Sequence, residues 1–475
     1  MKSFLTFLVV LLLFNAVASK AQTGWRKLLN APAYGFAANP KNPKTIYVGG
    51  EARVFYRSYD GGLTWDSTDI GFRGGSEQLT NVVVHPVDTN VVFVGGIRFG
   101  TIRRSTDMGK NWEIALSEIQ NLTFSGEAII IDPKNPFIMY ACEFQRGVIY
   151  KSVTRGRTWF KVSTLPTDST QNPPQTPRVC SITIHPDSAN KMFVGCTGSV
   201  IYQSNDSGQT WAKVQQLYKF YDKDSVEYSD SEIPQIRFST LNPRYGYAVS
   251  TYFNSNLKPN GSLIRTTDGG ETWKQFALKD TSLWAFALRP LVNNEEIVVG
   301  GYTDVNNHIP PNDVPGERVV RRSTDGGNTW TMHDDKIAWP VSEESRKNVF
   351  SLQYVGPTPQ TQKLYAATES GLYVFDSLNT TGILPPVEKN TLIITQEGRN
   401  KIYVQVEGLE DVTEPATVSV FDVLGHAVVS KQQMQKFGKK SYYTKVNLGN
   451  VAAGRYFISA THGDLFETTS FQVSE

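Results

Sequence analysis

The chain has 475 residues, 12% aromatic and 19% charged, with 38 glycines, 24 prolines and a formal net charge of +2. That length calls for at least two domains, and a near-balanced charge without any run of Lys and Arg excludes a phosphate-backbone partner such as nucleic acid. Three cysteines, Cys142, Cys180 and Cys196, are too few and too scattered for a disulfide framework or a zinc site. "VCSITIHP" and "MFVGC" nevertheless read as two arms of one hairpin, which leaves a Cys180–Cys196 bond open beside buried free thiols.

The first element is a leader. "MKSFLTFLVVLLLFNAVASKAQ" sets Lys2 ahead of an apolar run from Phe4 to Phe14 and then small residues, the layout of a secretory signal peptide over 1–21. An uncleaved anchor helix is the alternative, although the run is short for a span of about 20 residues. The protein is therefore expected to leave the cytoplasm.

From 22 to 376 the chain repeats. "SYDGGLTW" (58–65), "STDMGKNW" (105–112), "SNDSGQTW" (204–211), "TTDGGETW" (266–273) and "STDGGNTW" (323–330) share one frame, and "SVTRGRTW" (152–159) keeps it with Thr154 in place of the aspartate. The six tryptophans recur at 47 to 62 residues, a period that means an array of supersecondary units. Upstream of each box lies an apolar strand, a Pro/Asn turn and a second β-branched strand, as in "HPVDTNVVFVGG" (85–96), which is the hairpin signal. In the box itself a short carboxylate can accept N–H bonds from its own turn, glycine supplies φ > 0, and the tryptophan buries its ring beside the next strand. Five equivalent acids spread round an array do not converge on one substrate. Asp60, Asp107, Asp206, Asp268 and Asp325, with Trp65, Trp112, Trp211, Trp273 and Trp330, are accordingly read as structural.

These segments resemble the Asp-box, or bacterial neuraminidase repeat, of sialidases, sortilin-type receptors and xyloglucan-active glycosidases. The resemblance implies a β-propeller in which the box turns between the third and outermost strands of a blade; it implies little about activity. A seventh hairpin, "GPTPQTQKLYAATESGLYVFDS" (356–377), has no box after it, and "TGWRKLL" (23–29) matches a box tryptophan with its following strand. Pairing the two ends gives seven blades and removes an open edge, with six blades as the lesser alternative.

The long insertions fall after outer strands (163–177, 215–234, 332–347) or between second and third strands (252–262, 302–317), connections that open on the face opposite the boxes. Variable loops on a rigid scaffold are where binding sits, so blades four to seven are expected to present the ligand face. Tyr218, Tyr221, Tyr228, Tyr252, Tyr302 and Trp339 are its candidate contacts for a glycan or protein ligand. Glycosidase chemistry needs two carboxylates across the cleft, and acids such as Asp222, Glu232, Asp304 and Asp334 lie in these loops without any pair singled out. No metal site and no cofactor are expected, since "DKDSVEYSDSE" lacks the order of a calcium loop and His308 has no partner in zinc spacing.

After a Pro/Gly/Thr-bearing linker (377–389), residues 390–475 carry seven short strand signals without tryptophan or box, which read as a small Ig-like β-sandwich. "VSVFDVLGHAV" (418–428), "VNLGNVAAGRYFISATHGD" (446–464) and the last apolar strand resemble the type A C-terminal sorting domain of the type IX secretion system, with matches at Asp422, Gly425, Gly454 and Tyr456. An accessory Ig-like or carbohydrate-binding module is the alternative. The resemblance implies an outer-membrane translocon and a surface sortase as partners, release or attachment at the cell surface, and a propeller, expected to be monomeric, as cargo.

Overall fold

The computed structural model describes residues 24–375 except 72–76, 124–126, 168–175, 218–230, 253–260, 292–293, 302–319, 335–336, 338–347 and 360, and residues 391–473 except 397–400, 408–415, 423–426, 437–440, 450 and 463–464. The described residues form strands, turns and bends and no helix. The chain divides into two compact units, 1–382 and 383–475.

The first unit is a seven-bladed β-propeller, each blade a four-stranded antiparallel sheet. Blades one to six are continuous: 35–69, 78–116, 129–164, 179–216, 231–277 and 283–332. Blade seven combines Val349–Val355, Lys363–Thr368 and Gly371–Phe375 with the chain's first strand, Trp25–Leu29, which pairs Trp25 with Phe375 and Leu29 with Leu372. First strands of neighbouring blades pack on one another round the axis. They are buried on both faces, as in Gly35–Asn39 and Val179–His185, because one face meets the preceding blade and the other the next.

Hydrogen bonds show which turns share a face. In each of blades one to six the box is bonded to the turn between the first two strands of its own blade: Gly61 N to Lys44 O (2.8 Å), Met108 N to Asn90 O (2.9 Å), Arg155 N to Phe137 O (3.1 Å), Ser207 N to Asn190 O (3.0 Å), Gly269 N to Arg244 O (2.8 Å) and Gly326 N to Glu295 O (3.1 Å). Boxes and Pro/Asn turns therefore form one face. The same turns staple blade to blade: the Nε2 atoms of His85 and His185 donate to Pro136 O (2.9 Å) and Pro243 O (3.0 Å), and Arg289 Nη1 donates to Pro359 O (3.3 Å).

The second unit holds two four-stranded antiparallel sheets, as an Ig-like sandwich requires. Alternation along Thr417–Phe421 sends Val418 and Val420 into a core with Ile402, Val404, Tyr442, Val446, Tyr456 and Ile458. An eighth strand, Gln435–Lys436, joins the seven that the sequence pattern marks; two residues are too short to show alternation.

Candidate functional site

Register places seven residues at one level of the axis. Ala37, Val83, Ile130, Thr183, Arg237, Ala287 and Gln353 stand opposite Tyr47, Phe93, Tyr140, Phe193, Tyr247, Val298 and Tyr365 of their second strands. Six of the seven are uncharged, and Arg237 is the exception. Its Nη2 donates to Glu127 Oε1 (2.6 Å) ahead of blade three, and its Nη1 donates to Phe286 O (2.6 Å) in blade six and Leu352 O (3.3 Å) in blade seven. One guanidinium thus ties four blades. The pair is only partly exposed, with side chains 28% and 21% accessible, so its attraction is screened less than that of a surface pair.

Around this clasp lies a cavity of about 550 Å³ lined by first strands and by Pro40, Pro86 and Pro133. Its charged lining is Glu127 and Arg237, which neutralise one another. Val82, Val83, Val84 and Ile129–Ile131 supply an apolar wall, and Thr80, Ser351 and Gln353 supply hydroxyl and amide groups. The Gln353 amide oxygen is buried without a hydrogen-bond partner among the described residues. The arrangement can hold an uncharged, partly polar group by hydrogen bonds and apolar contact.

The boxes use their carboxylates internally. In Asp325, Oδ1 accepts from Ser323 Oγ (2.7 Å), Asn328 N (3.0 Å) and Thr329 N (2.9 Å), and Oδ2 accepts from Thr329 Oγ1 (2.6 Å). Asp60 and Asp206 repeat this set, and at Asp107 the Asn111 amide replaces the hydroxyl (2.7 Å). At Asp268 the bond from Thr272 N is 2.9 Å and that from its hydroxyl 2.6 Å. Hydrogen bonds from Thr210 and Thr329 hold the Asp206 and Asp325 carboxyls down at about 2, since donors favour the charged form. The indoles of Trp112, Trp159, Trp211, Trp273 and Trp330 donate to the carbonyl of their own box glycine at 2.9–3.2 Å.

Of the candidate ligand contacts, Tyr218, Tyr221, Tyr228, Tyr302 and Trp339 lie outside the described residues; Tyr252 ends the strand Gly246–Tyr252 opposite Ser231. Glu232, on the first strand of blade five, is described: burial pushes its carboxyl up to about 7, against the opposing pull of a hydrogen bond from Cys180 and the charge of Arg178. Cys142, Cys180 and Cys196 are buried free thiols, each raised by burial. In the second unit Gly454 opens the strand that carries Tyr456, whose hydroxyl donates to Ala452 O (2.8 Å); Asp422 follows Thr417–Phe421, and Gly425 lies outside the described residues.

Residues 398–474 match the family model of the secretion system C-terminal sorting domain. Over 228 residues the chain is 26% identical to xyloglucanase Xgh74A of Acetivibrio thermocellus, which covers 44% of this chain and 26% of that enzyme. Against a xyloglucanase of a Paenibacillus species the identity is 25% over 244 residues, 47% of this chain and 22% of the relative. The chain thus spans about a quarter of the length of the curated relatives it matches. Among solved structures it is similar to the GH74 xyloglucanase of Xanthomonas campestris (TM-score 0.54, 16% identity, 81% of this chain and 59% of that one). It is also similar to the GH74 enzyme of Niastella koreensis (TM-score 0.54, 15% identity, 94% and 73%). At these identities the likeness is one of fold.

Proposed function

We propose that this chain, a seven-bladed propeller ending in a type IX secretion sorting domain, is an exported surface protein that binds neutral polysaccharide without cleaving it. A signal peptide over 1–21 carries it to the periplasm, the terminal domain engages the outer-membrane translocon, and a surface sortase cuts between Asn379 and Thr395. The observation that carries the binding reading is the axial clasp: the Glu127 carboxylate is held by Arg237 at 2.6 Å, so the cavity presents hydrogen-bonding and apolar groups around a pair that is already neutral. The xyloglucanases to which the ring is similar supply the substrate class, a neutral β-glucan. The loops of blades four to seven, with Tyr218, Tyr221, Tyr228, Tyr252, Tyr302 and Trp339, form the broad recognition face.

A glycoside hydrolase is the second reading, and Glu232 favours it. Burial keeps its carboxyl near 7, hence about half protonated at neutral pH, which suits a general acid. Affinity electrophoresis of the exported chain in gels containing xyloglucan or an acidic polysaccharide, together with an assay for new reducing ends, separates the two. Retardation by the neutral polymer without new reducing ends is expected. Reducing ends that appear with the wild type and vanish in Glu232→Gln would establish the hydrolase instead.

A further inference from the structure

We infer that the axial cavity is a cup that opens on the box face, opposite the long insertions, and takes the end of a neutral oligosaccharide. This rests on the glycan-binding reading above, and gives its axial cavity a mouth, a floor and an occupant.

The mouth is fixed by Pro40, Pro86 and Pro133. All three sit in turns between first and second strands, and the boxes of those blades are hydrogen-bonded to the same turns. The mouth therefore belongs to the box face. The floor is the clasp. Arg237 reaches from blade five to Glu127 while donating to carbonyls of blades six and seven, so the guanidinium that lines the cavity also bars the axis.

The walls select the ligand. Blades two and three contribute Val83 and Ile130, and blade seven contributes Ser351 and Gln353, whose amide oxygen has no partner among the described residues. A pyranose has the matching division, with C–H groups on its faces and hydroxyls at its edge; the hydroxyls can meet Ser351 and the Gln353 side chain while a ring face covers the aliphatic wall. A volume of about 550 Å³ lies within the roughly 300–1,000 Å³ of small-molecule sites, enough for a chain end and too little for a polymer to pass through. Charge is disfavoured on either sign. An anion would have to compete with Glu127 for Arg237, and a cation with Arg237 for Glu127, leaving the displaced group unpaired in a half-buried site.

The test uses the full exported chain and cellotetraose as a neutral β-glucan end, titrated by calorimetry beside the same tetrasaccharide oxidised to a terminal carboxylate. Val83→Trp fills the cup from blade two; Gln353→Leu removes the amide from its wall without changing the bulk greatly, and covers the case in which the tryptophan variant fails to fold. Cellotetraose binding that weakens at least tenfold in either folded variant, with the oxidised probe weaker still on the wild type, is expected. Wild-type binding unchanged in both variants would overturn the cup and leave polysaccharide binding to the loops of blades four to seven. Retention on xyloglucan gels without cellotetraose binding would do the same. Failure of the wild type to bind either would remove the glycan reading itself.

Discussion

Blades one to six are each a single stretch of chain, whereas blade seven is sewn from the two ends of the unit. In the continuous blades a box joins the third strand to the fourth, and its carboxylate and tryptophan tie that turn. No turn joins Gly371–Phe375 to Trp25–Leu29, and side chains from neighbouring blades do the tying instead. Trp25 Nε1 donates to His333 O of blade six (2.5 Å), and its ring meets His333 and Phe375 edge-on at 5.8 and 5.5 Å. From the other side, Trp65 of blade one donates to Leu28 O (2.9 Å), whereas the other five box tryptophans donate to their own glycine, Trp211 also to Ser163 Oγ of blade three (3.0 Å). Where covalent continuity is missing, inter-blade contacts take over its task.

The comparison breaks most visibly at Trp25, which is 4% exposed. Trp25→Ala is expected to cost about 3–5 kcal/mol, since it leaves a large void and frees a strand that no turn retains. Trp330→Ala, in a continuous blade and half-buried, should cost less. Chemical denaturation of both variants measures the difference; equal losses would mean that the seam is not special.

The seam is also where acid should act. Burial, then the charges of Arg322 and Arg289, push the His333 imidazole down to about 3 from 6.5. Behind it the Glu296 carboxylate, fully buried with Arg289, receives both guanidiniums. An imidazole with a depressed folded pKa contributes stability that is complete above about 6.5 and is lost as pH falls towards 3, because the unfolded chain then binds the extra proton. The loss at pH 4 should be on the order of 1–4 kcal/mol. Glu232 and Glu295 run the opposite way: burial raises both to about 7, so what they contribute is present below 4.5 and lost as pH rises through 7. The difference between wild type and His333→Gln across pH 4 to 7 isolates the imidazole. A difference that does not change with pH would detach acid sensitivity from the seam.

The ring and its closure are legible in the sequence because their signals are local. Six boxes, seven hairpins and one stray Trp25 count the blades, and a missing box points to the strand that must replace it. The clasp is not local: Glu127 and Arg237 are 110 residues apart, and neither has an unusual neighbour. A signal was present all the same. Stacking the repeats on their turns sets Arg237 in line with Ala37, Val83, Ile130, Thr183, Ala287 and Gln353, where one charge among uncharged residues marks an axial contact. The sequence directed attention to the insertions instead, because loop length is read directly whereas axial level requires register.

The smallest effect lies within the boxes, and the third tests what the carboxylate contributes. Thr154 Oγ1 accepts from Thr158 N (3.0 Å), while Arg157 N turns to the Thr154 carbonyl (3.3 Å); in Asp60, Asp107, Asp206 and Asp325 both equivalent N–H groups reach the carboxylate. The serine half of the motif is intact, with Gly156 N donating to Ser152 Oγ (2.9 Å). Thr154→Asp should therefore gain one turn hydrogen bond, and it places the new charge just ahead of Arg155 and Arg157. A gain of about 0.5–1 kcal/mol is expected, and Asp325→Ala should lose about 0.5–2 kcal/mol by the same logic as a helix cap. Differential scanning calorimetry should find the first raising Tm by a degree or two and the second lowering it by a similar or larger amount, both with polysaccharide binding unchanged. If Thr154→Asp instead lowers Tm, the third box has settled into a turn of its own, and the carboxylate is a local choice of each blade rather than a requirement of the ring.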